Sequence, residues 1–466
     1  MSTHSQPARV LGLADVTLFM VTAGSSLQWT AVAAAAGPSA LLVWLLGGLG
    51  FFLPLSVCVV FLAGRYPDEG GLYAWSRLAL GPFAGFMTGW TYWTGTLAYL
   101  PSVLYFAAGS ALLGSGHLQA SAATPGYFIG FSLVVLAAAV LLNVRGLRVA
   151  RWLNSAGAFA RWLGVLLLIA LAAASCWRFG AATAINRHTI VPSFRLADVI
   201  FWSTLAFCWT GPEAASFMGA EIREPRRTVP RALLLAAPMI ATIYIVGTAS
   251  ILLAIPPDRA AGVYGVVEAM RAAAARLGLW WLIPCGALCV VLDRIGSVGL
   301  WIGALARIPA SAAVDRYLPA GFSRLHPRSA VPVTAVWVQA LVVALLVILG
   351  QSGTSVRGAY NVLIEMMVVG SMLPFLLFFV AAFRLSAGEA ASGFPGGRMT
   401  IAVLALLGFA TTLGSMMLAF VPPPEELNPA LAVLKVAGLT AVLLVGGAAV
   451  YVAGSRRAQQ PARLSL

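Results

Sequence analysis

Ionisable side chains interrupt several strongly apolar stretches of this chain. Arg161 lies in the stretch AGAFARWLGVLLLI, residues 156–169, about a third of the way into a segment that is otherwise apolar. An arginine at hydrocarbon depth costs at least about 2.5–3.5 kcal/mol on insertion scales, so it usually faces a protein interior and has a partner there. Because a guanidinium does not release its proton in proteins, Arg161 is predicted to supply a permanent positive charge.

A second set of polar residues recurs along one predicted helix. Asp293, Ser297 and Trp301 are spaced at i, i+4 and i+8, which puts them on a single helical face. Counted inward from the segment ends, Arg161 and Ser297 lie at similar depth, and Asp293 is about one turn (~6 Å) further. Arg294 is rotated from this face by about 100°, towards another helix or the headgroups. Extension to the headgroups is the alternative for Arg161 as well.

Glu213 is the carboxyl group in a further apolar segment, and it directly follows Trp209-Thr210-Gly211-Pro212. A desolvated carboxyl group at this depth could carry a proton. It could equally act as a structural carboxylate that ties an interrupted helix to its neighbours. Both interpretations stay open at the level of sequence.

The elements that position these residues are membrane-spanning helices. The 466-residue chain is 60% hydrophobic and 9% charged, with a mean hydropathy of +0.91, and no soluble domain has this balance. The N-terminus lacks the features of a cleaved signal peptide, so the first apolar run is expected to be retained. We number the twelve predicted spans in chain order: 11–36, 39–64, 82–113, 126–144, 153–176, 196–219, 230–254, 279–304, 331–350, 357–383, 399–420 and 430–453. The segment 255–278 is predicted to form a short external helix, a candidate lid.

The net charge of +14 does not require a nucleic acid. With both termini in the cytoplasm, cytoplasmic segments hold 19 basic residues and the opposite side holds 8, as the positive-inside rule expects. The five cysteines lack metal-ligand spacing and are read as free thiols. HExxH and Gly-x-Ser-x-Gly motifs and paired histidines are missing, so we expect neither an enzyme nor a metal or cofactor.

Two spans carry residues that weaken a helix at matching positions. Span 1 contains Thr22-Ala23-Gly24-Ser25-Ser26 and span 6 contains Trp209-Thr210-Gly211-Pro212-Glu213. Each of these spans opens a block of five, which is the pattern of two inverted repeats with discontinuous first helices. The predicted repeats are 11–176 and 196–383, followed by helices at 399–453, all within one transporter domain of 1–466. A simple proline kink and a small-residue contact are the alternative.

Three stretches resemble the amino acid–polyamine–organocation (APC) permeases. They are RYPDEGGLYAW (65–75) followed by GPFAGFMTGWTYW, TGPEAASFMGAEIREPRRTVP (210–230), and GSVGLWIGALARIPASAAVDRYLP (296–319). The resemblance runs nearly end to end and implies the leucine-transporter-like fold. It also implies a small-molecule substrate with an α-amino and usually an α-carboxyl group, held by helix ends at the two breaks.

The resemblance assigns residues to such a site. The residues that fall on the two breaks are Ala23, Gly24, Ser25, Phe207, Cys208, Trp209 and Gly211. Phe207 and Trp301 match aromatic positions that gate and line the pocket of antiporters in the family, and Tyr92 matches a third. Ordinary helix packing is the alternative for all three rings. Ala23-Gly24-Ser25 replaces the usual Gly-Ser/Thr-Gly of the family, which leaves Gly24 as the permissive position.

Arg161 matches a position in span 5 where proton-coupled and exchanging members of the family often have a lysine in the place of a sodium ion. The resemblance implies that it bridges spans 1, 5 and 8 and bonds the span-1 carbonyls and Ser297. A lysine there can titrate when it is buried, whereas an arginine effectively cannot. Proton coupling would then fall to Glu213 or Asp293.

These observations predict a multi-pass permease of the plasma (inner) membrane that transports amino acids by alternating access, without sodium. Exchange and proton symport are both compatible with the sequence. The first rival is a polyamine or organic-cation carrier of the same fold, which an Arg161–Asp293 pair would disfavour. The second is a receptor-like or assembly subunit that does not transport. The lipid bilayer is the expected environment, and a homo-oligomer is left open.

Overall fold

The fold was examined in a computed structural model. It describes residues 9–66, 71–115, 124–193, 195–326, 331–351, 356–387, 391, 393–421 and 429–459. These residues are almost entirely helical, apart from one isolated bridge between Leu11 and Ile222. Since lipid offers no hydrogen-bond partners, an apolar chain satisfies its backbone within helices, and the composition accounts for this fold class.

Each predicted span coincides with helix. The helices of spans 1 to 6 are Leu13–Gly24, Leu27–Ala35, Ala40–Gly47, Gly48–Phe52 (a π-helical segment), Leu53–Arg65, Pro82–Gly114, Pro125–Val144, Leu147–Phe179, Leu196–Phe207 and Pro212–Glu221 (a 3₁₀ helix). Those of spans 7 to 12 are Pro225–Ala254, Leu282–Leu305, Val333–Gly350, Val356–Leu385, Gly397–Leu418 and Pro429–Gln459. The connections add short helices at Leu72–Leu80, Arg187–Ile190, Pro257–Ala260, Gly265–Leu277, Arg307–Val314 and Ala320–Ser323.

Nine helices in the described ranges are long and apolar enough to cross a bilayer. Spans 10 and 12 add the shorter apolar stretches Gly370–Leu385 and Thr440–Arg456, and span 6 is interrupted. The all-helical membrane class is confirmed, while the count of twelve spans stays a prediction. The helix expected across one face is present as Gly265–Leu277, which packs on spans 1, 5, 7 and 8.

Span 3 lies at the centre of the bundle, because 89% of its most apolar 18-residue stretch is buried within the protein. It packs against spans 8 and 10, whereas the corresponding window of span 11 is only 28% buried. Span 3 is therefore part of the inner framework, and span 11 lies at the periphery.

Span 1 breaks where the sequence predicts. The first half ends at Gly24, Ser25 and Ser26 adopt extended backbone conformations, and a second helix begins at Leu27. The backbone N–H of Ser25 still donates to Val21 O at 3.0 Å, and the helical conformation ends there. The carbonyl groups of this last turn can accept hydrogen bonds from other donors.

Span 6 breaks at Cys208–Gly211, and its second half is 3₁₀ rather than α-helical. The tighter winding was not anticipated from the sequence. Gly211 has φ +123°, a conformation that L side chains rarely adopt, and Pro212 begins the 3₁₀ segment. The Gly-Pro pair thus supplies both the reversal of the chain and the start of the next helix.

The two breaks lie against each other. A Cβ added to Gly211 would lie 2.3 Å from the carbonyl oxygen of Ala23, and one added to Gly24 would lie 2.6 Å from Pro212. Both glycines therefore allow close approach of the two interrupted helices, and neither leaves open space for a ligand.

We expect Gly211→Ala to destabilise the protein strongly. Backbone strain at positive φ costs about 1–3 kcal/mol, and the contact with Ala23 adds to it. The matched control is Gly414→Ala, since an added Cβ there meets no atom within 4 Å. Thermal unfolding of the purified variants in detergent checks the expectation, and an unchanged melting temperature for Gly211→Ala would contradict the close contact.

Candidate functional site: a guanidinium cluster and the adjoining cavity

Arg161 is fully buried and bridges spans 1, 5 and 8. Its Nε and Nη2 lie 2.7 and 2.6 Å from Asp293 Oδ1. The remaining hydrogen bonds go to Val21 O (2.8 Å), Thr22 O (3.1 Å), Ser25 Oγ (2.8 Å) and Ser297 Oγ (2.9 Å). The contacts with the span-1 carbonyls and Ser297 agree with those that the resemblance implies, whereas the contact with Ser25 was not expected. The side chain does not extend to the headgroups.

The span-1 break creates the acceptors for Arg161. Val21 and Thr22 lie in the last turn before the break, where carbonyl groups carry the negative end of the helix dipole. Ser25 turns its hydroxyl back to donate to Val21 O at 2.6 Å, while it accepts from Arg161. Ser25 therefore belongs to the guanidinium cluster and does not line the cavity.

Arg294 is also buried, and it binds the same carboxylate as Arg161. Its Nε donates to Asp293 Oδ2 at 3.0 Å, its Nη2 contacts the same oxygen, and its Nη1 donates to Ser26 Oγ at 2.6 Å. Asp293 thus accepts one guanidinium on each oxygen. Sequence reasoning missed this role, because the side chain curls back from a rotated helical position to its neighbour.

Glu213 is buried, and both its carboxylate oxygens accept hydrogen bonds. The hydroxyl of Tyr92 donates to Oε1 at 2.8 Å, and the backbone N–H of Gly211 donates to Oε2 at 2.7 Å. The carboxyl group therefore fastens the span-6 break to span 3. This geometry fits the structural interpretation of Glu213 and leaves the carboxyl group next to the cavity-lining ring of Tyr92, while its proton-carrying role stays a prediction.

A cavity of about 30 Å³ lies between the two breaks and span 3, with room for about two water molecules. Its lining consists of Ala23, Trp29, Tyr92, Thr96, Tyr99, Phe207, Cys208, Thr210, Tyr244, Trp301, Ser371 and Phe375. Five of these, namely Ala23, Tyr92, Phe207, Cys208 and Trp301, were predicted from the sequence. The others were missed, although Thr96 and Tyr99 follow Tyr92 at i+4 and i+7, a helical spacing that could have revealed them.

Trp209 is placed on the far side of the break from this cavity. Its ring packs edge-on against Trp44 and Tyr244 and lies 4.9 Å from Phe52, measured between ring centroids. The turn at Cys208–Gly211 rotates the ring towards span 2, where Gly47 leaves room for it. Of the seven residues predicted on the breaks, the cavity is lined by Ala23, Phe207 and Cys208, and Gly24, Ser25, Trp209 and Gly211 face elsewhere.

Three aromatic rings border one side of the cavity. Trp29 stacks on Tyr99 at a centroid distance of 5.8 Å, and Phe207 meets Trp29 edge-on at 6.5 Å. Trp29 belongs to the second half of span 1 and Phe207 to the first half of span 6, so the rings connect both interrupted helices with span 3. The gating role of Phe207 and Trp301 stays a prediction.

The hydroxyl of Tyr244 in span 7 joins the two breaks. It lies 2.7 Å from Cys208 O and 3.0 Å from Gly24 O, and both carbonyls belong to the ends of interrupted helices. Tyr244 also lines the cavity. One side chain therefore holds both helix ends at the cavity wall.

The sequence and the fold of this chain match those of known transporters. A family model described as amino acid permease covers residues 11–448. The chain belongs to the APC amino acid permeases. It is 27% identical to an uncharacterized transporter of Legionella pneumophila, over 91% of each chain. The permease is therefore a transporter and not an enzyme.

Two relatives with named cargo are more distant. The permease is 26% identical to a glutamate/gamma-aminobutyrate antiporter of Lactococcus lactis, over 81% of this chain and 77% of that one. It is 24% identical to a probable agmatine/putrescine antiporter of the same species, over 68% and 67%.

Among solved structures, MhsT in complex with L-phenylalanine matches with a TM-score of 0.62 at 17% identity, over 94% of this chain and 100% of that one. This likeness shows the leucine-transporter-like fold that the sequence predicted.

We expect Asp293→Asn to destabilise the permease by about 3–5 kcal/mol, because it leaves two buried guanidiniums without a counter-charge. Asp293→Asn/Arg294→Gln restores the original charge of the cluster and should recover part of this loss. Melting temperatures of the purified proteins, with Glu224→Gln at a side chain that is 73% exposed as control, test the coupling. Equal losses in the single and double variants would show that Arg294 does not depend on Asp293.

Proposed function

We propose that this permease transports neutral amino acids across the plasma membrane by alternating access, without sodium, with both termini in the cytoplasm. The observation that carries the proposal is the cavity between the two helix breaks. Transport would require spans 1, 2, 6 and 7 to rock against spans 3, 4, 8 and 9. The excess of basic residues on one side supports the orientation.

The lining of the cavity supports a neutral amino acid. Its walls are mostly aromatic, and apart from the indole rings its polar side-chain groups are the thiol of Cys208 and hydroxyls, which belong to Tyr92, Thr96, Tyr99, Thr210, Tyr244 and Ser371. Hydroxyls and helix-end carbonyls can hold an ammonium group, while rings can enclose an apolar side chain. At about 30 Å³ the cavity is narrower than an amino acid, so binding would have to accompany a movement of its walls.

Sodium independence is supported by the position of Arg161. Its guanidinium already binds the span-1 carbonyls and Ser297 Oγ that the resemblance assigns to a sodium position. A fixed positive charge there would repel a second cation.

Proton coupling, where it occurs, would involve Glu213. Asp293 is an unsuitable carrier because each of its oxygens is held by an arginine. Glu213 is bound only by uncharged donors, Tyr92 and Gly211, so protonation would cost hydrogen bonds but no ion pair. In this proposal, proton symport requires Glu213 to bind and release a proton during transport, whereas exchange does not.

The second candidate function is transport of polyamines or other organic cations. It is supported by the similarity to a probable agmatine/putrescine antiporter. Such cargo would need an unpaired acid at the cavity to neutralise its extra charge. Of the two acids discussed here, Asp293 is paired with Arg161 and Arg294, and Glu213 is held by Tyr92 and Gly211. This pairing favours the neutral substrate.

Uptake and counterflow in proteoliposomes test the function with a panel of neutral, acidic and basic amino acids and of diamines. We expect counterflow of neutral amino acids without sodium. If protons are coupled, Glu213→Gln should abolish accumulation driven by an imposed pH gradient and retain counterflow, while Glu224→Gln behaves as wild type. Strict sodium dependence or a preference for diamines would overturn the proposal.

Arg161→Lys should lower both the melting temperature and the transport rate. A lysine has three donors on one nitrogen and cannot span the six oxygen contacts of the guanidinium. Arg178→Lys, at an exposed position near the end of the same span, is the matched control. Transport and pH dependence equal to wild type in Arg161→Lys would remove the role assigned to Arg161.

A further inference from the structure

The cluster of Arg161, Arg294 and Asp293 has more positive than negative charge. Two guanidiniums share one carboxylate, so the formal charge of the cluster is +1. Among the residues that the structure describes, Asp293 is the acid that interacts with either arginine. All three side chains are buried, and a buried net charge is costly unless an opposite charge approaches it.

Arg294 is the arginine whose hydrogen bonds are incomplete. A guanidinium has five N–H donors. Arg161 has six contacts with oxygen atoms, whereas Arg294 has three, two with Asp293 and one with Ser26. Two N–H groups of Arg294 therefore lack an acceptor within the described part of the chain. The side chain is 1% exposed, so bulk water does not replace the missing acceptors.

The charge of Arg294 reaches the central cavity through Ser26 and Tyr99. Arg294 Nη1 donates to Ser26 Oγ at 2.6 Å, and the hydroxyl of Tyr99 is hydrogen-bonded to the same serine side chain. Tyr99 lines the cavity, and so does Tyr244. Both tyrosine hydroxyls interact electrostatically with Arg294 and with Arg161. Two groups of the cavity wall therefore lie in the field of the cluster, although neither guanidinium lines the cavity itself.

Ser26 also precedes the second half of span 1. The helix Leu27–Ala35 begins directly after it, and no side chain caps the first N–H groups of this helix. Because the N-terminus of a helix carries a partial positive charge, it adds to the field of Arg294 and does not compensate it. The resemblance implies a helix end as the holder of a carboxylate. The guanidinium behind that helix end is an additional feature of this chain.

We propose that Arg294 is a specificity-determining residue of the central cavity, and that its charge makes a carboxylate on the ligand a requirement. An amino acid brings a negative charge to the cluster together with its ammonium group. The corresponding amide or amine brings the ammonium group alone, which the cluster repels. The inference rests on the proposed function only in taking the ligand to be an amino acid.

Carboxamides test the role of Arg294, because an amide keeps the ammonium group and the side chain and replaces the carboxylate with a neutral group of similar size. L-alanine, L-leucine and L-phenylalanine are each compared with their amides. One measurement is inhibition of amino acid counterflow in proteoliposomes. The other is the ligand-induced rise in melting temperature of the detergent-purified full-length protein, which requires no transport.

We expect the wild-type protein to bind the preferred amino acid more tightly than its amide, and Arg294→Gln to lower this ratio about thirtyfold. That factor corresponds to removing one unit charge about 8 Å from the carboxylate, at an effective dielectric constant of about 20. The variant leaves the Arg161–Asp293 pair, whose formal charge is zero, so the fold should be retained.

Arg294→Lys keeps the charge and should retain most of the ratio, although it changes the hydrogen bonds. Arg178→Gln removes an exposed arginine and should behave as wild type. Equal losses of the ratio in Arg294→Lys and Arg294→Gln would assign the effect to hydrogen bonds or packing and overturn the electrostatic role.

The outcomes separate this inference from the proposed function. Counterflow of neutral amino acids with the same acid-to-amide ratio in wild type and Arg294→Gln would refute the role of Arg294 and leave the proposed function standing. The expected ratios in a protein that binds amino acids without counterflow would do the reverse. The wild-type ratio requires no substitution, so equal binding of amino acid and amide decides against the inference even if a variant does not fold.

Discussion

A guanidinium inside a bilayer protein is tolerated only where oxygen atoms satisfy its donors, and Arg161 meets that condition by drawing on three spans. Its partners are a carboxylate, two hydroxyls and two main-chain carbonyls. The interruption of span 1 at Ser25–Ser26 makes these carbonyls the end of a helix, where they can accept a further donor. The irregular helix and the buried charge are therefore mutually dependent. An unbroken span 1 would withhold acceptors from Arg161, and an apolar residue at position 161 would leave helix-end carbonyls without a strong donor.

Sequence reasoning succeeded where a residue type allows few environments. The two breaks follow from the cost of glycine and proline in a helix, and the need of Arg161 for buried partners follows from the cost of a charge in lipid. The family resemblance implied which partners these would be. Sequence reasoning was less informative where the direction of a side chain depends on tertiary packing. Arg294 was expected at another helix or the headgroups, but its flexible chain returns to Asp293 as well as reaching Ser26. Trp209 lies on a break, yet the turn geometry rotates its ring away from the cavity. Such orientations depend on neighbours that spacing along one chain does not reveal.

The helical framework and the lining of the cavity constrain the amino-acid sequence to different degrees. The permease shares 24–26% identity with two relatives that are named for different substrates, and 17% with a structure that has the same fold. The framework depends on a few contacts between helices, such as those of Gly211 with Ala23 and of Glu213 with Tyr92. The walls of the cavity are mainly aromatic and adaptable, with selectivity left to a small number of hydroxyl groups. Cargo can therefore change within a common fold.

The hydroxyl of Tyr244 contacts the carbonyl of Gly24 and the carbonyl of Cys208. Together with the contact between Gly211 and Ala23, this arrangement makes the two interrupted helices one mechanical body. A ligand that moves the end of span 1 would then also move the end of span 6. Binding at either break would therefore alter the position of both helix ends at the cavity wall.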